Sequence, residues 1–531
     1  MKLIYLKEGR NYSANDLKNC ISIQHYSNEE LCWIDSTFFE RLRDSINSEL
    51  KKTVVKGTEG RFVFHYIGLY DYVDTKTQKN ITFFFVPKFI DFQVETDCND
   101  EDVSKQISSI NNDSWNERIK EFDSVRNSVL LAIDRYNKEQ TQMVEQVDAS
   151  EIKRESILEL AVRMLRDYLE NGIYIVHKNE LEHNGDGEIN WEVTLESFDP
   201  VFVNKRPYYI DTMTEQAYSD EEHYITRLHK CLVTIWGAKL EKLGLASVLR
   251  VNVPLLSKEE LNHFGGTEYQ ITQINKELNV QFVTKYRETL KLLKELIERS
   301  SENNVATYES LSFGMNGVEH LWERACAEVL GSELDKKIKE CDCFKDVDIL
   351  EDLTFSSYMP KVYWKQISET NPQSKEFAYN EGSQHSKKAG WKLDFIRTFS
   401  SNETKRLVIL DSKYYCVRWR GCSISGQPGT PDIAKQMFYQ MCFADLIENT
   451  NVKIVNAFLF PEDDNCLEKN KTIEISETVQ LGWQTGDRFK LPIKFRDINL
   501  FAVRIPGIVL LKRYANSEHA DDWFNEIALY K

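Results

Sequence analysis

Two acids and a lysine in the last third of this 531-residue chain are spaced for phosphodiester chemistry. Asp394 lies in Trp391-Lys-Leu-Asp-Phe-Ile, and Asp411-Ser-Lys413 closes the apolar run Arg406-Leu-Val-Ile-Leu. Each acid reads as a residue at the end of a core strand, the two strands forming a hairpin. Carboxylates on adjacent strands can share one Mg²⁺, a hard cation that takes oxygen ligands and keeps several waters. Side chains alternate along a strand, so Lys413 points to the same sheet face as Asp411. A metal and an ammonium placed together can activate a water and hold it in line with a phosphate. A hairpin with merely solvated polar ends presents the same letters, so the elements around it have to decide.

Two helices are placed to serve this hairpin. In Gly317-Val-Glu-His-Leu-Trp-Glu-Arg-Ala-Cys-Ala-Glu-Val-Leu, Val318, Leu321, Trp322, Ala325 and Val329 follow helical spacing and predict a buried stripe. Glu319 and Glu323, one turn apart, flank that stripe, and either can reach a metal on the sheet. Helix phase favours Glu319, which lies nearer the stripe. After the lysine strand, Gly429-Thr-Pro-Asp432 starts another helix, with Thr430 as N-cap and Pro431 at the first helical position. Its Gln436 and Gln440 are again one turn apart, with Lys435 close by, and an amide there can face a phosphate or a water. Lys387, Lys388, Lys392, Arg397, Arg418 and Arg420, interleaved with Trp391, Tyr414, Tyr415 and Trp419, are suited to hold a phosphate backbone.

The rest of the chain bounds the reading. Its length predicts two to four domains. A net charge of −17 speaks against a protein that coats nucleic acid through a global field. No apolar run is long enough to span a bilayer, and the first residues lack the pattern of a secretory signal, which predicts a cytoplasmic protein away from membranes. Eleven cysteines, an odd number, predict free thiols in a reducing compartment. Cys341-Asp-Cys343 and the pair Cys416 and Cys422 lack partners at zinc-ligand spacing.

Residues 1–100 read as strand-rich, with Arg61-Phe-Val-Phe-His-Tyr-Ile-Gly-Leu and Ile81-Thr-Phe-Phe-Phe-Val-Pro-Lys88 as the clearest strands, the second ended or edged by Pro87. From 103 to 170 the pattern turns helical, on the stripes Val125, Val129, Leu130, Ile133 and Ile157, Leu158, Ala161, Leu165, Tyr168. The polar stretch 138–151 reads as a connection or a solvated helix end. Short strands are expected over 172–177 and 188–191 around the turn at 184–187, then helices over 219–245 and 258–299. A linker over 303–310 divides the chain into 1–302, strand-rich over 1–100 and helical and mixed over 101–302, and a second domain, 303–531.

Helix-Glu, strand-Asp, strand-Asp-x-Lys and helix-Gln, in that order, resemble the PD-(D/E)XK nuclease superfamily, and within it the McrC-like subunits of McrBC-type restriction systems, particularly the LlaJI family. Asp411-Ser-Lys-Tyr-Tyr is similar to the family's D-x-K-Y strand, and Leu321-Trp-Glu323-Arg-Ala-Cys to its helical glutamate motif, which favours Glu323 over Glu319. Asp432-Ile-Ala-Lys-Gln-Met-Phe-Tyr-Gln resembles the helix after the lysine strand. Toward the N-terminus, His65-Tyr-Ile-Gly-Leu, Phe83-Phe-Phe-Val-Pro-Lys-Phe and Gly187-Glu-Ile-Asn-Trp are also LlaJI-like, whereas Leu393 stands where the motif has proline.

The resemblance implies an α/β chain, α+β overall, whose C-terminal core has a mixed central sheet flanked by helices. It implies an endonuclease of restriction and antiviral defence that hydrolyses DNA phosphodiesters with Mg²⁺, Mn²⁺ substituting. Asp394, Asp411, Glu323 and the Ser412 carbonyl would hold the metal, Lys413 would stabilise the attacked phosphate, and Gln436 or Gln440 would position a phosphate or water. Relatives work with a McrB-like AAA+ GTPase or ATPase hexamer that docks on the N-terminal half. This chain carries no Gly-x-x-x-x-Gly-Lys-Ser/Thr phosphate loop of its own. A self-sufficient restriction enzyme, a non-cleaving activator of an AAA+ motor and an RNA nuclease are the competing readings.

Overall fold

A computed structural model of the chain describes residues 3–23, 34, 37–50, 54–56, 62–90, 112–144, 155–302, 310–345, 347, 353–359, 363–365, 376–378, 392–401, 403–420, 423–448, 450–463, 474–479 and 500–530. Lys387, Lys388, Trp391, Cys422, the end of the polar stretch at 145–151 and most of the expected linker, 303–309, lie outside the described residues, as do the side chains of Arg418, Trp419 and Arg420.

Strands β1 (Leu3–Lys7), β2 (Ile67–Val73), β3 (Asn80–Val86) and β4 (Leu311–Met315) make a four-stranded sheet in the order β1-β3-β2-β4. In β3, Ile81, Phe83, Phe84, Phe85 and Val86 are all buried, as suits a strand covered on both faces. It stops at Val86, before Pro87, which has no amide to continue the ladder. Helix α1 (Asn112–Val144) buries Val125, Val129, Leu130 and Ile133, and it runs on through the polar residues after Lys138.

The chain forms two compact units that interleave in sequence. One comprises Met1–Leu3, Tyr70–Thr82 and Ala149–Phe313; the other comprises Ile4–Leu69, Phe83–Asp148 and Gly314–Lys531. The expected linker over 303–310 divides the chain at 302/303, and both compact units have residues on each side of that point. Most of the N-terminal strands and α1 group with the C-terminal residues through long-range bonds that local patterning does not reveal.

In the first unit, helix Ile157–Asn171 opens with a reciprocal cap between Ser156 and Glu159 and ends at Gly172, whose φ of 78° suits glycine. It packs on helices Tyr224–Lys242 and Thr284–Glu302. The expected helix over 219–245 begins later because 219–220 finish a strand, and the one over 258–299 is broken into Thr267–Val280 and Thr284–Glu302. Val176–His183 and Glu188–Ile189 do not pair with each other: both flank Met213–Asp220, antiparallel. Residues 172–175 are not strand, and Trp191 opens a short helix because the Asn190 side chain accepts from the Val193 amide.

The second unit holds helix α2 (Val318–Val329), the hairpin β5 (Phe395–Ser400) and β6 (Lys405–Ser412), helix α3 (Thr430–Cys442), strands β7 (Val452–Glu462), β8 (Glu474–Val479) and β9 (Leu500–Pro506), and helices α4 (Gly507–Ala515) and α5 (Asp521–Leu529). The five strands form a mixed sheet, β5-β6-β7-β9-β8, parallel at β6/β7 and β7/β9 and antiparallel at its edges. With helices on the sheets, the chain is α+β. Leu407 and Ile409 pack with Tyr439 of α3, with Phe443 just past its end and with Leu393, so odd-numbered residues of β6 face that helix. Among the described residues Cys231, Cys326, Cys341, Cys343, Cys416 and Cys442 are free thiols, and no helix is long and apolar enough to cross a membrane.

Candidate active site

Asp394 and Asp411 are brought level by the hairpin. Phe395 pairs with Leu410 across β5 and β6, so Asp394, one residue before β5, stands opposite Asp411. The Ser412 amide donates to Asp394 Oδ2 at 3.1 Å. Lys413 Nζ lies 2.8 Å from Asp411 Oδ2 and 3.1 Å from Asp432 Oδ1, and Lys435 Nζ is 3.5 Å from Asp411 Oδ1. Asp411 is only 1% exposed, and a buried carboxylate needs opposite charge at hand. Tyr415 donates its hydroxyl proton to Asp432 Oδ2 at 3.4 Å.

The electrostatics follow from this crowding. Burial, the adjoining Asp411 and the nearby Glu323 push the Asp394 carboxyl up, with Lys435 opposing them. Burial alone would lower the Lys413 ammonium, but Asp411 and Asp432 outweigh it and hold the group above its ordinary value. Lys435 is raised in the same way by Asp411 and Asp394 against burial. Among the described residues no three His, Cys, Asp or Glu side chains are gathered into a cage. Two level carboxylates with a third acid nearby nevertheless fit a cation that completes its shell with carbonyl oxygen and water, as Mg²⁺ does. Negative charge crowded enough to raise Asp394 is the arrangement such a cation relieves.

The flanking helices divide the remaining expected residues. Glu323 acts electrostatically on Asp394 and on the buried Cys326, whereas Glu319 acts on Glu8, and both act on Tyr136, Glu323 more strongly. Of the two, Glu323 is thus the one directed at the acids, and its carboxylate is 3.7 Å from His320 Nδ1. Gln436 departs from the expectation. Fully buried, it donates from Nε2 to Asn456 Oδ1 at 2.6 Å and to the Ala457 carbonyl, while Asn456 donates to Gln440 Oε1 at 3.0 Å. The two glutamines join α3 to β7 rather than facing a phosphate. Asp432 and Lys435, on the next row of the same helix, meet Lys413 and Asp411 instead. Their i, i+3 spacing, with Tyr439 a turn further and its ring 5.3 Å from the Lys435 ammonium, was the available signal. The helix begins one residue early, at Thr430, with Gly429 as N-cap and no side-chain cap.

The basic stretch also divides. Arg397 is committed to structure, donating to the Leu330 carbonyl at 2.7 Å and to Asp521 at 2.9 Å over the Phe524 ring. Lys392 is exposed, and Tyr414 is buried.

The LlaJI restriction endonuclease family model matches residues 72–370 and 354–503, the greater part of the chain. The chain belongs to the LlaJI restriction endonuclease family. A curated relative is the Type II restriction enzyme BsuMI component YdjA of Bacillus subtilis (strain 168), 26% identical over 336 residues, covering 62% of each chain. The family member described here thus spans about three-fifths of that relative's length. Among solved structures it is similar to a chain in the half-complex of Thermococcus gammatolerans McrB AAA+ hexamers with bound McrC, at 12% identity, 97% and 99% coverage and a TM-score of 0.34. A chain of the T. gammatolerans McrBC complex is similar at 10% identity, 61% and 85% coverage and a TM-score of 0.25.

Proposed function

We propose that this chain is the metal-dependent DNA endonuclease subunit of a McrBC-like restriction system, cutting phosphodiester bonds when coupled to a separate AAA+ NTPase whose hydrolysis it stimulates. The observation that carries the reading is the convergence of Asp394 and Asp411 beside the Lys413 ammonium in a chain of the LlaJI restriction endonuclease family. This is the acid-acid-lysine order of a PD-(D/E)XK site. Asp394 and Asp411, with the Ser412 carbonyl and Glu323, would hold Mg²⁺ or Mn²⁺, which supplies positive charge to the reacting phosphate and lowers the pKa of water. Lys413 donates to the phosphate oxygen on which negative charge grows during attack. Asp432 keeps that ammonium in place from the far side, and Lys435 adds positive charge along the same face.

Four observations support dependence on a partner. The curated relative is itself named as a component. The chain carries a whole compact unit without the acid pair, and it has no phosphate loop with which to drive DNA movement. That unit leaves Trp191, Leu195, Phe202 and Ile210 exposed, a surface suited to a protein contact. The free thiols suit a cytoplasmic location. The test is Mg²⁺-dependent cleavage of methylated and unmethylated plasmid by the pure chain, with and without the AAA+ protein encoded beside it and GTP or ATP. Cutting only with partner and nucleotide supports the proposal. Cutting by the chain alone makes it self-sufficient, and stimulated nucleotide hydrolysis without cutting makes it an activator.

A further inference from the structure

Past the acids, the lysine strand runs into Tyr414, where residues from the far N-terminus enter the same compact unit. The Tyr414 hydroxyl donates to Glu8 Oε2 at 2.6 Å. The Lys88 amide donates to Glu8 Oε2 at 3.2 Å and to the Tyr414 hydroxyl oxygen at 3.3 Å. The Lys88 ammonium lies 4.2 Å from the centre of the Tyr414 ring. Phe89 and Trp322 pack on that ring and on each other. Glu8 is 7% exposed and Tyr414 4%.

A carboxylate this buried is costly as packing material, since a leucine would fill the space without a charge to satisfy. Here the shorter of its two hydrogen bonds comes from the Tyr414 hydroxyl, on the neighbour of Lys413, and the other from the Lys88 amide. Past the end of β6 the chain turns at Tyr414, the Tyr415 amide donating to the Lys413 carbonyl at 2.8 Å, so that Lys413 meets α3 through Asp432 while Tyr414 meets α2 through Trp322. Holding the Tyr414 phenol therefore fixes the backbone from which the Lys413 ammonium extends. The same ring contacts Trp322, which adjoins Glu323.

We propose that Glu8 is a positioning residue for the nuclease site, setting through Tyr414 where the Lys413 ammonium stands. The inference rests on Lys413 acting as described under Proposed function. A shift of about an ångström in a catalytic group can cost on the order of 100-fold in rate. Glu8→Ala in the full chain, assayed with its AAA+ partner, is expected to lower the single-turnover cleavage rate roughly 10- to 100-fold with the KM for DNA unchanged. Glu8→Gln keeps an oxygen acceptor and recovers most of the rate. Tyr414→Phe, which removes only the hydroxyl, matches Glu8→Ala, and the double variant is no slower than either, because both changes remove the same Glu8–Tyr414 bond.

The proposal is overturned if Glu8→Ala and Tyr414→Phe cut at the wild-type rate, if their losses add in the double variant, or if the loss tracks a lower folded fraction by circular dichroism and Glu8→Gln does not restore it. Lys413→Ala in the same assay separates the two readings. If it is inactive while Glu8→Ala and Tyr414→Phe cut normally, only the positioning role fails. If Lys413→Ala cuts like wild type, or the wild-type chain never cuts, the nuclease assignment fails and the positioning role with it.

Discussion

Strand β6 and the strand Val176–His183 are each eight residues long, and their burial is opposite. In β6 the last six residues are buried, so Asp411 and Ser412 are drawn out of water along with Leu407 to Leu410. Val176–His183 is exposed along nearly all its length, and the segment after it leaves Phe202 68% and Ile210 73% exposed. Burial on β6 forces each charge to find a partner at fixed distance, which is how a sheet end becomes a place for chemistry. The exposed strand has no such demand on its polar residues, and its neighbourhood keeps apolar side chains in contact with water. One sheet organises a site, the other a surface.

Removing the charge chemistry at the end of β6 should have the largest effect. Lys413→Ala is expected to leave the far-ultraviolet circular dichroism unchanged and to lower the cleavage rate by two orders of magnitude or more, about 3 kcal/mol of barrier. Chelation by EDTA should abolish cutting and Mg²⁺ restore it, measured by plasmid relaxation on a gel.

The apolar side of the comparison can be broken by truncation. Ile409→Ala, in the core beneath α3, should cost about 2–5 kcal/mol in urea unfolding, whereas Leu181→Ala on the exposed strand should change stability by less than about 0.5 kcal/mol. Equal losses at the two positions would dissolve the contrast.

A buried group that is neutral gives a sharper test. His229 is fully buried, accepts from the Tyr174 amide through Nδ1 at 3.1 Å, and is pushed down to about 4 by burial, with Asp167 opposing. Between about pH 6.5 and 4 the unfolded chain binds a proton that the folded unit refuses. Stability from this group is therefore complete above that window and is lost as pH falls through it, by at most roughly 3 kcal/mol. His229→Gln should flatten the fall in melting temperature over that range.

The smallest change in stability belongs to the exposed surface. Phe202→Ser with Ile210→Ser should shift unfolding by no more than about 0.5 kcal/mol. A several-fold drop in partner-dependent cutting, with any partner-free activity intact, would assign that surface to docking; unchanged stimulation would remove it from consideration.

What the sequence disclosed about the fold follows the same contrast. The apolar letters before Asp411 and the stripe on α2 are legible because burial imposes period two and period 3.6 on them. Met213–Asp220, the centre of its sheet, leaves no such mark, because Met-Thr-Glu-Gln-Ala-Tyr-Ser-Asp carries no alternation when most of its side chains meet water. The acid-acid-lysine grouping could be read from spacing along two adjacent strands. The orientation of α3 could not, since Gln436 and Gln440 are turned inward by Asn456, a residue on β7 that no helical pattern announces. Glu8 was invisible for a similar reason: its partner is 406 positions away.

Helix α1 has a consequence for anyone wishing to dissect this protein. Arg135 bonds Glu139 and Glu328 and stacks on Tyr514, while Arg324 bonds Glu139, so α1 is clasped to α2 and α4 by side chains nearly two hundred residues and more away. A fragment starting at residue 303 would lose this helix together with Glu8 and Lys88, and it would bare the apolar flank they cover. Shuffling of modules at that point, by an engineer or by recombination between genes, should yield insoluble chains. Exchange is tolerable only where strands β1 and β3 and helix α1 travel with the acids, because the compact unit that holds Asp394 and Asp411 is discontinuous in sequence.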